Sequence, residues 1–158
     1  MSISESARLI GWLLDTHVVA ALTSPSGAPS VHAWASAQQE ERLFLSILTL
    51  AEIAKGVEQL PPEAPARARY AGGLAAIQAR FRGRILPLDD QVVLRWGAIS
   101  GRVRRERGHP PPVVDTMLAA TAIEHGLYLV TRNRRDVEHS GASIFDPWTD
   151  EAADFPLS

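Results

Sequence analysis

The feature that most constrains this chain is its repeated alternation of very short apolar runs with longer stretches of helical periodicity. Residues 9–14 are apolar until the run stops at Asp15, and Leu43–Ser46 and Leu127–Val130 are further short runs of the same kind. Runs this short and this uniformly apolar mark strands buried on both faces, the condition of a parallel sheet covered by helices. Alternation along the whole length therefore predicts an α/β domain with a central parallel sheet of four to five short strands flanked by helices.

The spacing predicts strands over 9–14, Leu43–Ser46, 84–88, Leu127–Val130 and 143–145. Helices are expected over 16–22, 31–41, 47–60, 63–82, 89–107 and Val113–His125. Pro61 and Pro62 stop one helix, Asp89 or Asp90 can cap another, and Gly108 and Gly126 can close two more. Trp12, Trp34 and Trp96 fall on apolar spacings and are read as core. No linker divides the chain, so 1–158 is read as one domain, with 1–8 and the acidic stretch 149–158 as loose ends.

At 158 residues, such a domain can bury roughly 70% of the surface its unfolded chain exposes, so no external staple is required. There is no cysteine, which excludes disulfides and thiolate metal ligands and suits a reducing cytoplasm. Any bound metal must use oxygen or nitrogen. No apolar stretch has the roughly 18 residues of a membrane span, and no export signal is read at the start.

Sixteen basic against eighteen acidic residues give a formal charge of -2, so net charge alone does not draw this chain to nucleic acid. The bases are nevertheless clustered: Arg67, Arg69, Arg80, Arg82 and Arg84; Arg102, Arg104, Arg105 and Arg107; Arg132, Arg134 and Arg135. Each cluster is either a solvated helix face or a phosphate grip, for which the forked guanidinium is suited.

Four acids carry the functional argument. Asp15 directly follows the first strand, and the carboxyl ends of strands line the ligand crevice in open α/β sheets. Glu52 lies in Thr49-Leu-Ala-Glu52, Asp115 in the first turn of its helix, and Asn133 and Asp136 in Thr131-Arg-Asn-Arg-Arg-Asp136 after the fourth strand. Taken singly, each has an ordinary role as a cap, a capping box, a dipole partner or a turn residue. Taken together, they converge on one edge of the sheet. Two carboxylates about 4 Å apart repel by roughly 4 kcal/mol at an effective dielectric near 20. Protons or cations must therefore neutralise the group, and an all-oxygen set favours Mg²⁺ or Mn²⁺.

The segments Leu-Leu-Asp15-Thr, Leu-Ser-Ile-Leu-Thr-Leu-Ala-Glu52-Ile-Ala-Lys-Gly-Val, Asp115-Thr-Met-Leu-Ala-Ala-Thr-Ala and Leu-Val-Thr131-Arg-Asn133 together resemble PIN-domain proteins. The ending Ile-Phe-Asp-Pro-Trp148 strengthens the resemblance, which is greatest to the toxin ribonucleases of bacterial VapBC systems and the FitB group. It implies a parallel sheet, a Mg²⁺ site at Asp15, Glu52 and Asp115, RNA cleavage, a small inhibitory antitoxin and dimerisation through the later helices. Thr131 matches a hydroxyl position near the acids. The family's fourth acid falls at Asn133, with Asp136 three residues on, and either can complete the site. The ten or so residues before the first motif exceed the family's usual start.

On this reading, bound metal activates a water, Glu52 or Asp136 accepts its proton, and Arg132 or Arg134 holds the substrate phosphate. An apolar groove for the antitoxin is expected on helix faces between Val31 and Leu50. His17 can approach the site, whereas His32, His109, His125 and His139 lack ligand spacing. Two other classes compete: a catalytically lapsed PIN-fold binding module, and a haloacid-dehalogenase-type phosphatase. The phosphatase needs a second acid two residues after Asp15, where His17 stands.

Overall fold

The computed structural model describes residues 9–158. Five strands, β1 (Gly11–Leu14), β2 (Leu43–Ser46), β3 (Ile85–Leu86), β4 (Leu127–Val130) and β5 (Ile144–Phe145), form one sheet in the order β3-β2-β1-β4-β5. Every pairing is parallel, and β1 and β4 lie side by side in the centre with Leu14 opposite Val130. The helices among the described residues are α1 (Thr16–Thr23), α2 (Pro29–Ser36), α3 (Ile47–Gln59), α4 (Pro65–Arg80), α5 (Asp90–Arg107), α6 (Val113–His125) and α7 (Arg134–Val137). None is long and apolar enough to cross a membrane.

The strands read as continuously apolar because each face of the sheet is covered. Side chains alternate across a strand, so Trp12 and Leu14 of β1 pack with Val18, Val31, Trp34, Tyr128, Val130 and Phe145. Leu13 points the other way, joining Leu127 and Leu129 against Leu118, Ala119 and Ala122 of α6. Each fully buried side chain of this size contributes roughly 1.5–3 kcal/mol. The first face is held by an aromatic cluster in which Trp12 stacks on Tyr128 at 4.9 Å and meets the Trp34 edge at 5.2 Å. Trp12 and Trp34 are thus core, and Trp96 is a half-buried neighbour of the α5–α6 contact.

Element ends differ from the sequence reading for local reasons. The first strand begins at Gly11, not at residue 9, and Ile10 is exposed. A Cβ on Gly11 would lie 2.6 Å from the Arg42 carbonyl, so only glycine allows this approach of the 42–43 backbone. Proline at the first helical position sets the starts of α2 and α4 at residues 29 and 65. The second helix then stops at Ser36, and a 3₁₀ turn, Glu40–Arg42, leads into β2. Gly126 takes φ 65° and closes α6 as expected.

The stretch 149–158 is not a loose end. Phe155 packs edge-on against Phe145 at 4.9 Å and Tyr128 at 5.6 Å, and the Tyr128 hydroxyl donates to the Pro156 carbonyl at 2.9 Å. Ser158 N donates to the Leu9 carbonyl at 2.9 Å, and Arg42 donates to the Ser158 carbonyl at 2.8 Å. Glu151 and Asp154 stay outside while Phe155 and Leu157 supply the apolar contact. Residues 1–8, the other expected loose end and most of the extra leading segment, lie outside the described residues.

Candidate active site

The parallel register itself places the first pair of functional groups. Because Leu14 and Val130 are partners, the next residues, Asp15 and Thr131, emerge side by side at the carboxyl edge of the sheet. Their backbones remain tied: Asp15 N donates to the Val130 carbonyl and Thr131 N to the Phe145 carbonyl, both at 3.0 Å. Both side chains are buried. Asp15 also caps α1, its Oδ1 accepting from Val18 N at 2.9 Å, which is the ordinary capping role its position allows. Burial raises its carboxyl above the ordinary value, against the pull of the Thr131 hydroxyl, the Val18 N–H and His17.

Glu52 reaches the same edge from α3 and does not form the capping box its spacing allows. Ser46 caps that helix instead, its hydroxyl accepting from Leu48 N at 3.1 Å. Glu52 Oε1 accepts from Thr16 Oγ1 at 2.7 Å, a bond between α1 and α3. Thr16 was not singled out from the sequence, although it stands next to Asp15 in the Leu-Leu-Asp-Thr motif. That adjacency at a strand end was the available signal.

Asp115, in the first turn of α6, is where the acids meet electrostatically. Burial raises its carboxyl first, and the negative charges of Asp136, Asp15 and Glu52 raise it further, in that order, with His17 opposing. All four acids thus share one field. Among the described residues no Lys or Arg is ion-paired to any of them. Equally, no three Asp, Glu or His side chains there close on one point as a ready-made cage.

The segment after β4 is a short helix, α7, where the sequence suggested a turn. Asn133 precedes it, with its N–H donating to Thr131 Oγ1 at 3.0 Å and its side chain making no capping bond. Asp136 is exposed on α7 and is the neighbour whose charge Asp115 feels most. Arg132 lies over the Trp148 ring, 4.6 Å from its centroid, in a shallow cleft shared with His17, Asn133 and alanines of α1. Arg134 is differently engaged: it pairs with Asp150 Oδ2 at 2.5 Å, an oxygen that also accepts from Asp146 N.

The groove expected between Val31 and Leu50 is absent as an apolar surface. Val31, Trp34 and Leu50 are spent on the sheet face, and Ile47 is the exposed large apolar residue of that stretch. Helices this short have a single apolar stripe, and here the stripe lies inward.

A five-stranded parallel sheet gathers acids at its central carboxyl edge, from the end of β1 and from α3, α6 and α7, and comparison with known families gives this arrangement its class. The PIN domain model matches residues 12–139, and the chain belongs to that family. The VapC ribonuclease Y4jK of Sinorhizobium fredii is 30% identical over 137 residues, covering 86% of this chain and 96% of that one. Toxin FitB of Neisseria gonorrhoeae is also 30% identical, over 138 residues covering 87% and 99%. The solved FitAB complex bound to an IR36 DNA fragment superposes with a TM-score of 0.79 at 29% identity, covering 89% of this chain and 97% of that chain.

Proposed function

We propose that this chain is a divalent-metal-dependent endoribonuclease of the VapC and FitB toxin type, held inactive by a small partner antitoxin. The observation that carries the reading is the set of four carboxylates sharing one field with no ion-paired base among the described residues. The oxygen-only donor set suits Mg²⁺ or Mn²⁺, with Asp15, Asp115 and Glu52 as holders and Asp136, in preference to Asn133, completing the set. When bound, such an ion lowers the pKa of a coordinated water and offsets charge developing on the phosphodiester.

The chain's own residues then divide the work. The Val18 N–H fixes the orientation of the buried Asp15 carboxyl, and with the Thr131 hydroxyl it opposes the rise that burial causes. Thr16 holds Glu52 Oε1 and so leaves Oε2 to accept a proton. Arg132, fixed over Trp148 in the cleft, is better placed than the Asp150-paired Arg134 to hold a substrate phosphate. The antitoxin follows from the named complexes of the relatives. Exposed Val93 and Leu94 on α5, with Val113 and Val114 on α6, support self-association through the later helices.

The purified protein should cut single-stranded RNA with added Mg²⁺ or Mn²⁺, lose activity in chelator, and lose it in Asp15→Asn with an unchanged circular dichroism spectrum. Full activity in that variant would remove Asp15 from the site. Calorimetric titration with Mn²⁺ separates the lapsed binding module, which would take up no ion.

A further inference from the structure

Two of the arginine clusters apparent in the sequence are brought together by the fold at a place the catalytic reading does not use. A second cleft of about 460 Å³ opens between the end of α5, the proline connector and α7. Arg107 at the end of α5 and Arg135 of α7 both line it, together with Asp136 of the acid group. Neither arginine has a carboxylate partner among the described residues. His109 and His139 add imidazoles, and the one further acid in the lining, Glu138, is matched to His139 Nε2 at 3.3 Å.

The cleft is held in shape. Arg102 donates to the carbonyls of His139 and Ser140 at 3.0 and 3.1 Å, pinning α5 to the end of α7, and Pro110, Pro111 and Pro112 form a stiff wall. Thr116 in the lining directly follows Asp115, so the cleft begins where the acids end. Arg132 and Asn133 line the first cleft, while Asp136, one turn on, lines the second. A strand lying across the acids therefore has a guanidinium on each flank.

We propose that this second cleft carries the backbone of single-stranded RNA away from the cut, Arg107 and Arg135 gripping phosphates next to the one that reacts. The proposal rests on the nuclease reading and names the path of its substrate. Contacts of this kind are sequence-independent and salt-sensitive. They raise affinity for long substrates without selecting bases.

The test uses the full chain carrying Asp115→Asn, so that bound RNA stays intact, and a labelled single-stranded RNA of about twelve nucleotides read by fluorescence anisotropy across a salt series. Adding Arg107→Gln and Arg135→Gln together should weaken binding on the order of tenfold and flatten the log–log salt slope by about 1.4, roughly 0.7 per lost contact. Lysine at both positions should recover most of the slope. Arg82→Gln, beyond the opposite end of the sheet, should change nothing. Equal affinity and slope in the double glutamine variant, or no measurable binding by the parent, overturns the proposal. Cleavage by the unsubstituted protein is scored separately: its absence sinks the nuclease reading, while the binding series still decides the cleft.

Discussion

The two ends of the sheet handle charge in opposite ways. At the amino end, Glu40 is gripped by Arg80 through two bonds of 2.8 and 3.1 Å, and Arg84 donates to the carbonyls of Glu40, Leu43 and Arg80, each at 2.6 Å. The Arg80 bond, more than any other cause, lowers the Glu40 carboxyl from its ordinary value, and Arg80 is raised in turn. At the carboxyl end, Asp15 and Asp115 are raised, and among the described residues no arginine is ion-paired to either. The chain has bases enough for both ends. One end pairs its charges, and the other gathers carboxyls whose negative charges raise one another.

The sharpest break is functional. Asp115→Asn should reduce metal-dependent RNA cleavage by more than about a hundredfold, since changing even a supporting residue of a metal site costs about 10–100-fold; initial rates at saturating Mg²⁺ measure it. At the opposite end, Arg84→Ala should cost roughly 2–3 kcal/mol in urea unfolding, because a largely buried guanidinium serving three carbonyls is lost. Activity per folded molecule should be unchanged. A drop in activity matching that of the acid variant would erase the contrast.

The third expectation runs against intuition. A carboxyl whose folded pKa lies above its unfolded one destabilises the folded state when ionised, and that cost disappears as pH falls below the ordinary value of 3.8. Asp115→Asn should therefore stabilise the metal-free protein near neutral pH, by about 2–4 °C if the relief is near 1 kcal/mol. The gain should shrink steadily in scans taken toward acid. A melting temperature lowered at pH 7 would contradict the assignment of strain to this edge.

Glu40 gives the smallest effect and the opposite sign. Its folded pKa is depressed, so its contribution is full above the ordinary value of 4.5 and is lost as pH falls through the lowered folded value. The carboxyl is half exposed, so Glu40→Gln should cost less than about 1 kcal/mol at pH 7 and nothing in strong acid. Denaturant midpoints at the two pH values decide it.

What could be read from the chain alone was whatever rests on neighbours in sequence. The apolar runs ending at Asp15 and Val130 announced both the strands and the edge where the acids gather. Gly108 and Gly126 marked helix ends through their left-handed backbone. What could not be read depends on contacts across long separations. Spacing gave Glu52 a capping role that Ser46 performs, because the hydroxyl of Thr16 becomes available only after α1 and α3 pack together. Arg134 resembled a phosphate ligand until Asp150, sixteen residues on, took it. Phe155 looked like part of a polar tail until β4 and β5 presented Tyr128 and Phe145 to it.

The pairing of Leu14 with Val130 has a mechanical implication. Positions along a strand come in steps of about 3.3 Å and alternate between faces, with no intermediate setting. The spacing of Asp15 from Thr131 is therefore digital: a slip of one notch would swing the acid to the wrong side, and no softer adjustment exists. Fine tuning of this centre belongs to the helices that bring Glu52, Asp115 and Asp136, while the central ladder serves as the fixed jaw of the vice.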